Sequence, residues 1–364
     1  MTQRTPVEVF APGEFIDEEL EARGWSQVEL AEVLGRPPRL ISELVSGKRA
    51  ITPETAKGLG AAFGTGPEFW MNLERDYRLS RAMHDDDGVE RRAKLYTKAP
   101  VKEMCKRGWI EPSENVEVLE KRVHDFFQLS NIDDAPCLAH ATSSQWAWLC
   151  RIKQLAQAMS VPKYSKRTLI EALGKMEALL AAPEEAGRVP GILAECGVRF
   201  VVVEKLPQAE IDGACCWLDK HSPVIGMTMR RDKIDNFWFV LRHEIEHVLR
   251  GHGRHAAVID NLEGGGVGTG SGLPEEERVA NSAASEFCAP GTKVAAFMAE
   301  KRPFFYERDV LVFARAMNRH PGLIAGQMQL RLNNYAYLSK HCAKIRPFVL
   351  PSAIFDGWGQ MPSL

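Results

Sequence analysis

Between residues 12 and 78 apolar positions recur at helical spacing in short bursts, each closed by a start or stop signal within 10 to 15 residues. No alternating strand pattern interrupts them, so five closely spaced helices are predicted there. Ser26 with Glu29 forms a capping box opening SQVELAEVLG, Gly35 stops that helix, and Pro53 and Pro67 stand where first-turn prolines belong. From 81 to about 165 the period stays helical, as at Val116, Leu119, Val123 and Phe126, which predicts a helical connector. The pattern then changes. GVRFVVVEKL, GACCWL and SPVIGMTM are short apolar runs parted by Pro, Gly and Asp, and they predict a small sheet between 197 and 229. A helix from about Asn236 to Leu249 follows, then a glycine loop at 264–272, a helix after Pro274 and helical material to about 345. The fold class expected is multidomain: an all-α helix-turn-helix domain at 1–80, the connector at 81–165, an α+β domain at 166–350 and a tail at 351–364.

Composition narrows the function classes. Lys plus Arg number 46 against 48 Asp plus Glu, so the chain is no polycation built to coat nucleic acid, and any DNA contact must come from a local patch. The basic run Arg91, Arg92, Lys94, Lys98, Lys102, Lys106 and Arg107 follows acidic residues at 85–87 and 90 and reads as a solvated face. Trp146 and Trp148 read as core. The eight cysteines include no CxxC pair, and the adjacent Cys215 and Cys216 are poor disulfide material, which suits a reducing cytoplasm. MTQRTPVEVFAPGEF carries no apolar run of signal-peptide length, and no stretch of about 18 uncharged apolar residues occurs, so no membrane span is expected. The glycine loop lacks GxGxxG and follows a helix, which favours a flexible surface loop over a phosphate cradle.

The segment SQVELAEVLGRPPRLISELVSGKRAI has the succession of a helix-turn-helix, whose second helix enters the major groove. With Leu40, Ile41 and Leu44 facing in, Arg39, Ser42 and Glu43 face out toward base edges. Lys48, Arg49 and Gln27 are placed for phosphates. Residues 1–80 hold 9 Lys or Arg against 13 Asp or Glu, so non-specific affinity for DNA should be modest. Continued through ITPETAKGLGAAFGTGPEFWMNL, residues 10 to 80 resemble the HigA antitoxin branch of the Cro/CI-type (XRE family) repressors, with GTGPEFWMNL the most specific part. The resemblance implies a homodimer on a palindromic DNA operator. Pro37 and Pro38 depart from it, standing where such repressors offer hydrogen-bonding side chains, although Pro38 also suits helix initiation.

The sequence HEIEH at 243–247 sets His243 and His247 one helical turn apart, able to share one zinc ion (Zn2+), with Glu244 beside a bound water as the candidate catalytic proton acceptor. Phe237, Leu241, Ile245 and Val248 would bury the opposite stripe. His252 and His255 miss the spacing of a three-histidine site. Downstream, Glu277, Ala280 and Asn281 share a face: Glu277 is the favoured third ligand, Asn281 supports a ligand histidine, and Ala280 lets the helices approach. Glu276, Glu275 and Asp260 are the alternatives, with Glu286 behind them. Three protein ligands leave a fourth position for water, which suits peptide hydrolysis. An oxyanion donor is open among His252, His255, His320 and Tyr335, and Glu246 is free to pair with Arg242 or Arg250.

HEIEH, the E-x-x-A-N of Glu277 to Asn281 and Pro290 together resemble the ImmA/IrrE family of zinc metallopeptidases over roughly 170–345. That resemblance implies a gluzincin-like fold and cleavage of a repressor protein. It also implies that IDGACCWL lies above the zinc cleft with an exposed edge for a substrate strand, bringing Asp212 and Gly213 near substrate. The expected function is a DNA-binding regulator fused to a zinc metalloendopeptidase acting on a repressor-like protein. The alternative is a non-hydrolytic HigA-type antitoxin or repressor that uses the same fold to sense or to bind a partner such as a toxin.

Overall fold

Five helices open the chain: α1 (Pro12–Arg23), α2 (Gln27–Leu34), α3 (Pro38–Val45), α4 (Pro53–Phe63) and α5 (Pro67–Ala82). The computed structural model describes residues 9–82, 88–132, 142–261 and 274–358, so the glycine loop at 264–272 and the acidic residues at 85–87 lie outside the described residues. Ser26 and Glu29 form the reciprocal cap of α2, with the Ser26 amide donating to Glu29 Oε2 at 2.7 Å and the Glu29 amide to Ser26 Oγ at 3.2 Å. Pro53 and Pro67 begin their helices, and Pro38 begins α3 behind Pro37, whose φ of −61° and ψ of 138° are those of an N-cap. Gly13 allows α1 to cross α3, since a Cβ there would lie 2.0 Å from the Val45 carbonyl oxygen. The helices enclose Ile16, Leu20, Leu30, Ile41, Leu44, Leu59, Phe63 and Trp70. Trp70 is fully buried, and its indole N–H is satisfied by Thr65 Oγ1 at 2.8 Å, which explains the packing role of GTGPEFW.

The chain divides into two compact units at Arg91/Arg92, within α6 (Gly88–Lys98). The second continues through α7 (Val101–Lys106), α8 (Val116–Phe127), α9 (Ser143–Gln157), α10 (Lys166–Leu179), α11 (Val189–Glu195), β1 (Arg199–Val202), β2 (Gly213–Trp217), β3 (Pro223–Met227), α12 (Ile234–Arg250) and β4 (Val258–Asp260). It closes with α13 (Glu275–Cys288), α14 (Gly291–Lys301), α15 (Glu307–Ala316), α16 (Pro321–Leu332), α17 (Arg346–Val349) and β5 (Ile354–Phe355). The sheet order is β4-β2-β3-β1-β5. β1 runs parallel to β3 and β5, whereas β2 is antiparallel to β3 and β4. The sheet therefore recruits two strands outside 197–229, one of them from the segment read as a tail.

Both sheet faces are covered. Phe200, Val202, Cys215, Trp217, Ile225 and Met227 face a core built with α10, α11 and α12. Their neighbours Val201, Val203, Ala214, Cys216 and Val224 face a second core with Met104, Leu119, Val123, Trp148 and Ile152. The helices read as a connector thus form, from Arg92 onward, one layer of a three-layer arrangement. Strands apolar on both faces require such a layer. Cys215 and Cys216 point to opposite cores and cannot pair, and burial pushes the Cys216 thiol up to about 11. Trp148 donates from Nε1 to the Val203 carbonyl at 2.7 Å. The basic run is not uniformly solvated: the Arg107 side chain is 3% exposed and donates to the carbonyls of Glu204 and Lys205, both at 2.7 Å. Burial depresses its pKa. Among the described residues no helix is long and apolar enough to cross a membrane.

Replacing Trp70 by Ala is expected to destabilise the first unit by about 3–5 kcal/mol, whereas Val28→Ala, at a side chain already half in water, should stay within about 0.5 kcal/mol. Urea unfolding of the full chain followed by circular dichroism measures both.

Candidate metal centre and nucleic-acid interface

α12 is held at both ends. The Ile234 amide donates to the Ala343 carbonyl at 2.9 Å, and Gly251, at φ 75°, closes the last turn with its amide on the His247 and Val248 carbonyls. The turn brings the His252 amide to the His247 carbonyl at 2.9 Å, and the Trp217 indole pins the His252 carbonyl at 2.7 Å. Phe237, Leu241, Ile245 and Val248 are buried in the core, as the stripe predicts. His243, Glu244 and His247 are themselves wholly inaccessible.

The helical turn sets His243 Nε2 3.0 Å from His247 Nε2. Glu277 on α13 brings Oε2 to 3.3 Å from His243 Nε2 and Oε1 to 3.5 Å from His247 Nε2. Asp260, the last residue of β4, brings Oδ2 to 3.4 and 3.9 Å from the same nitrogens. The outward nitrogens are engaged elsewhere: His243 Nδ1 donates to Asn281 Oδ1 at 3.0 Å, and His247 Nδ1 meets His252 Nδ1 at 2.9 Å. With Nδ1 of each ring engaged from behind, both Nε2 atoms are turned toward each other and toward two carboxylates. Such a cluster of nitrogen and carboxylate donors is able to hold a cation, a proton or a metal ion, between its members. Ligands bonded at about 2.0–2.1 Å in a tetrahedron stand about 3.3–3.4 Å apart, which is the scale of these separations, and two imidazoles with carboxylates are a donor set of the kind zinc takes. Asp260 Oδ2 and both Glu244 carboxylate oxygens are buried without a hydrogen-bond partner among the described residues.

Electrostatics agree with this geometry. Burial alone would depress His243, but Asp260 and Glu277 outweigh it and lift the imidazole to about 9. Burial, reinforced by the charge of Asp260, pushes Glu244 well above the ordinary carboxylate range. Burial works upward on Asp260 as well, yet His243 and His247 hold it below its usual value. The negative field that raises the proton affinity of His243 also attracts a divalent cation. Gly213 lets β2 pass directly against Glu244, since a Cβ on it would stand 2.2 Å from Glu244 Oε1.

Asp260 is the one alternative ligand that joins the cluster. Glu275 pairs with Arg278, Glu276 Oε1 lies 3.7 Å from His252 Nε2, and Glu286 Oε1 accepts the Gly291 amide at 3.0 Å. Ala280, 1% exposed, lies on α13 where it packs against α12. Among the oxyanion candidates, His252 supports His247, His320 Nδ1 accepts the Gly322 amide at 3.1 Å to cap α16, and His255 and Tyr335 are exposed. Glu246 is held by Arg242 at 2.9 Å and Arg250 at 2.7 Å together. The exposed edge expected of IDGACCWL is corrected: β2 lies between β3 and β4, and β4 is the edge strand. Asp212 is 1% exposed and forms a bidentate pair with Arg230, at 2.7 and 2.9 Å, so its carboxylate serves structure. The support by His252 escaped sequence reasoning, although the Gly251-His252 pair after the helix is a visible signal for it, and Asp260, weighed there as an alternative to Glu277, joins the cluster together with it.

On α3 the side chain of Arg39 is 88% exposed and that of Glu43 22%. Glu43 accepts from Arg39 Nε at 2.8 Å and from Arg49 Nε at 2.9 Å, and these bonds hold its carboxyl below the usual range. Ser42 and Lys48 are exposed, and Gln27 is half-buried at the start of α2. Arg39, Ser42 and Lys48 thus lie on the surface side of the second helix of the motif and its following turn, with Ile41 and Leu44 in the core. Glu43 is less an outward reader than the anchor of two arginines.

Residues 16–70 match the family model described as Helix-turn-helix. The chain is 36% identical over 86 residues to the uncharacterized HTH-type transcriptional regulator YddM of Escherichia coli (strain K12), spanning 90% of that protein and 24% of this chain. It is 39% identical over 74 residues to antitoxin HigA-1 of Vibrio cholerae, covering 67% of that protein and 20% of this chain. A solved addiction module antidote protein of the HigA family from Coxiella burnetii shares 33% identity, with 94% of that chain and 25% of this one covered and a TM-score of 0.21. With α2 and α3 arranged as the motif requires and a relative matched over nearly its whole length, the chain belongs, through its first unit, to the helix-turn-helix family of transcriptional regulators.

Proposed function

We propose that this protein is a DNA-binding transcriptional regulator whose second unit is a zinc metallopeptidase of the ImmA/IrrE kind, with a gluzincin-like fold, cleaving a repressor or other regulatory protein. The observation that carries the reading is the meeting of two imidazole Nε2 atoms at 3.0 Å with the Glu277 carboxylate, beside a buried Glu244. His243, His247 and Glu277 would hold the ion, which when bound supplies Lewis acidity toward a peptide carbonyl and acidifies a water. Asn281 and His252 orient the two imidazoles from behind. Glu244 takes the proton of the attacking water and carries it to the leaving amine. The first unit binds a palindromic operator as a homodimer, with Arg39 and Ser42 toward base edges and Gln27, Lys48 and Arg49 toward phosphates.

The purified chain is expected to hold about one zinc per molecule, as a single site of this donor set would. Glu244→Gln should keep that zinc and its DNA binding while proteolysis of helix-turn-helix repressor substrates falls by about 10²–10⁴-fold or more. Elemental analysis and cleavage assays check both. A wild-type chain free of zinc and inert toward every such substrate would favour the non-hydrolytic antitoxin or repressor reading, in which the second unit binds a partner such as a toxin.

For DNA, Arg39→Ala should cost about 1–3 kcal/mol on the operator recovered by in vitro selection and relax the preference at one position, whereas Lys48→Ala should weaken all sequences alike and lower the salt slope by about 1. Binding isotherms at several salt concentrations distinguish the two. An Arg39→Ala chain with unchanged affinity and preference would place base reading elsewhere.

A further inference from the structure

The peptidase reading leaves one carboxylate unused. Asp260 is 5% exposed, and its Oδ2 approaches the two ligand nitrogens at 3.4 and 3.9 Å, close to the 3.3 and 3.5 Å of Glu277. Its position is set by the sheet. The Asp260 carbonyl accepts the Asp212 amide at 2.8 Å, and Asp260 stands opposite Gly213 in the β2–β4 register. Here Nδ1 of each ring is already occupied, by Asn281 and by His252, so Asp260 Oδ2 faces the two Nε2 atoms, the pair that Glu277 also faces. The four side chains offer one donor atom each within 4.8 Å of one another, so a single ion could be shared among them.

We infer that Asp260 is a fourth protein ligand, making the centre as folded a closed site of two histidines, one aspartate and one glutamate that is latent for hydrolysis. The inference rests on reading the cluster as a zinc site. Four protein ligands fill a tetrahedron and leave no place for water, the arrangement of structural rather than catalytic zinc. Activity then requires Asp260 to withdraw. The means is local: Asp260 is carried on β4, three residues long at the edge of the sheet and paired with β2 alone among the described strands. Loosening one short edge strand would free the fourth position while His243, His247 and Glu277, all on helices, stay in place.

The test uses the full-length chain and its Asp260→Ala and Asp260→Asn variants, the second preserving side-chain shape, with folding checked by circular dichroism. Zinc affinity is measured by chelator competition, and the metal environment by the visible spectrum after cobalt substitution, with and without azide. Both variants are expected to hold zinc at least about tenfold more weakly, the floor observed for losing even an outer-shell partner. Azide should leave the wild-type cobalt spectrum unchanged and shift that of the variants. Equal zinc affinity of folded variants and wild type, together with an azide response already present in wild type, would overturn the assignment of Asp260 and leave the three-ligand peptidase reading standing. A folded wild-type chain that takes up neither zinc nor cobalt would instead bring down the metal centre itself, and this inference with it.

Discussion

Two imidazole nitrogens facing each other at 3.0 Å, with Nδ1 of each ring engaged from behind, are the constraint around which the second unit is organised. Without a proton or metal ion between them these nitrogens and the adjoining carboxylates repel, and burial deprives them of water that would screen the repulsion. The surrounding scaffold is correspondingly stiff. α12 is buried along most of its length, its end is locked by Gly251, and each of the two histidines is oriented from behind by a residue on another element or turn. Removing one supporting group would release a ring that the rest of the packing is built to hold.

The same scaffold explains the three layers. Every strand residue from Gly213 to Trp217 and from Pro223 to Met227 is buried, so helices on one face alone would leave half of that apolar surface in water. α10 to α12 cover one face and α6 to α9 the other, and the sheet becomes a rigid floor beneath α12. Rigidity permits the close approach of Gly213 to Glu244, where one methyl group would collide with the carboxylate. Placement of Asp260 follows as well, because β4 takes its register from β2.

The first unit works on a different economy. Its core is small and aromatic at one end, where Phe63, Phe69 and Trp70 make tilted and edge contacts, and its charged residues are spent on local pairs. Glu43 holds Arg39 and Arg49 in a pre-formed arrangement on and beside α3. Such exposed pairs contribute little stability. They do restrict where two cations stand before a polyanion arrives, and exchanging Glu43 for a phosphate or base edge leaves each arginine partnered throughout.

Local signals carried much of this architecture in the sequence. The caps and prolines of α2, α4 and α5, the apolar stripe of α12 and the i,i+4 spacing of His243 and His247 depend on neighbours within one or two turns of chain. The shared face of Glu277 and Asn281 was legible for the same reason, although nothing local could say which helix they would meet. Long-range packing decided the rest. Whether 81–165 was a connector or a layer depended on which face of a distant sheet lay uncovered, and Arg107 was buried because Glu204 and Lys205 fold onto it from almost a hundred residues away. Asp260 was one of several carboxylates within reach along the chain until β4 paired with β2 and aimed it at two histidines on another element. Periodicity records which side of an element is apolar; it holds no information on what will be packed against that side, and the candidate metal centre exists only where four elements converge.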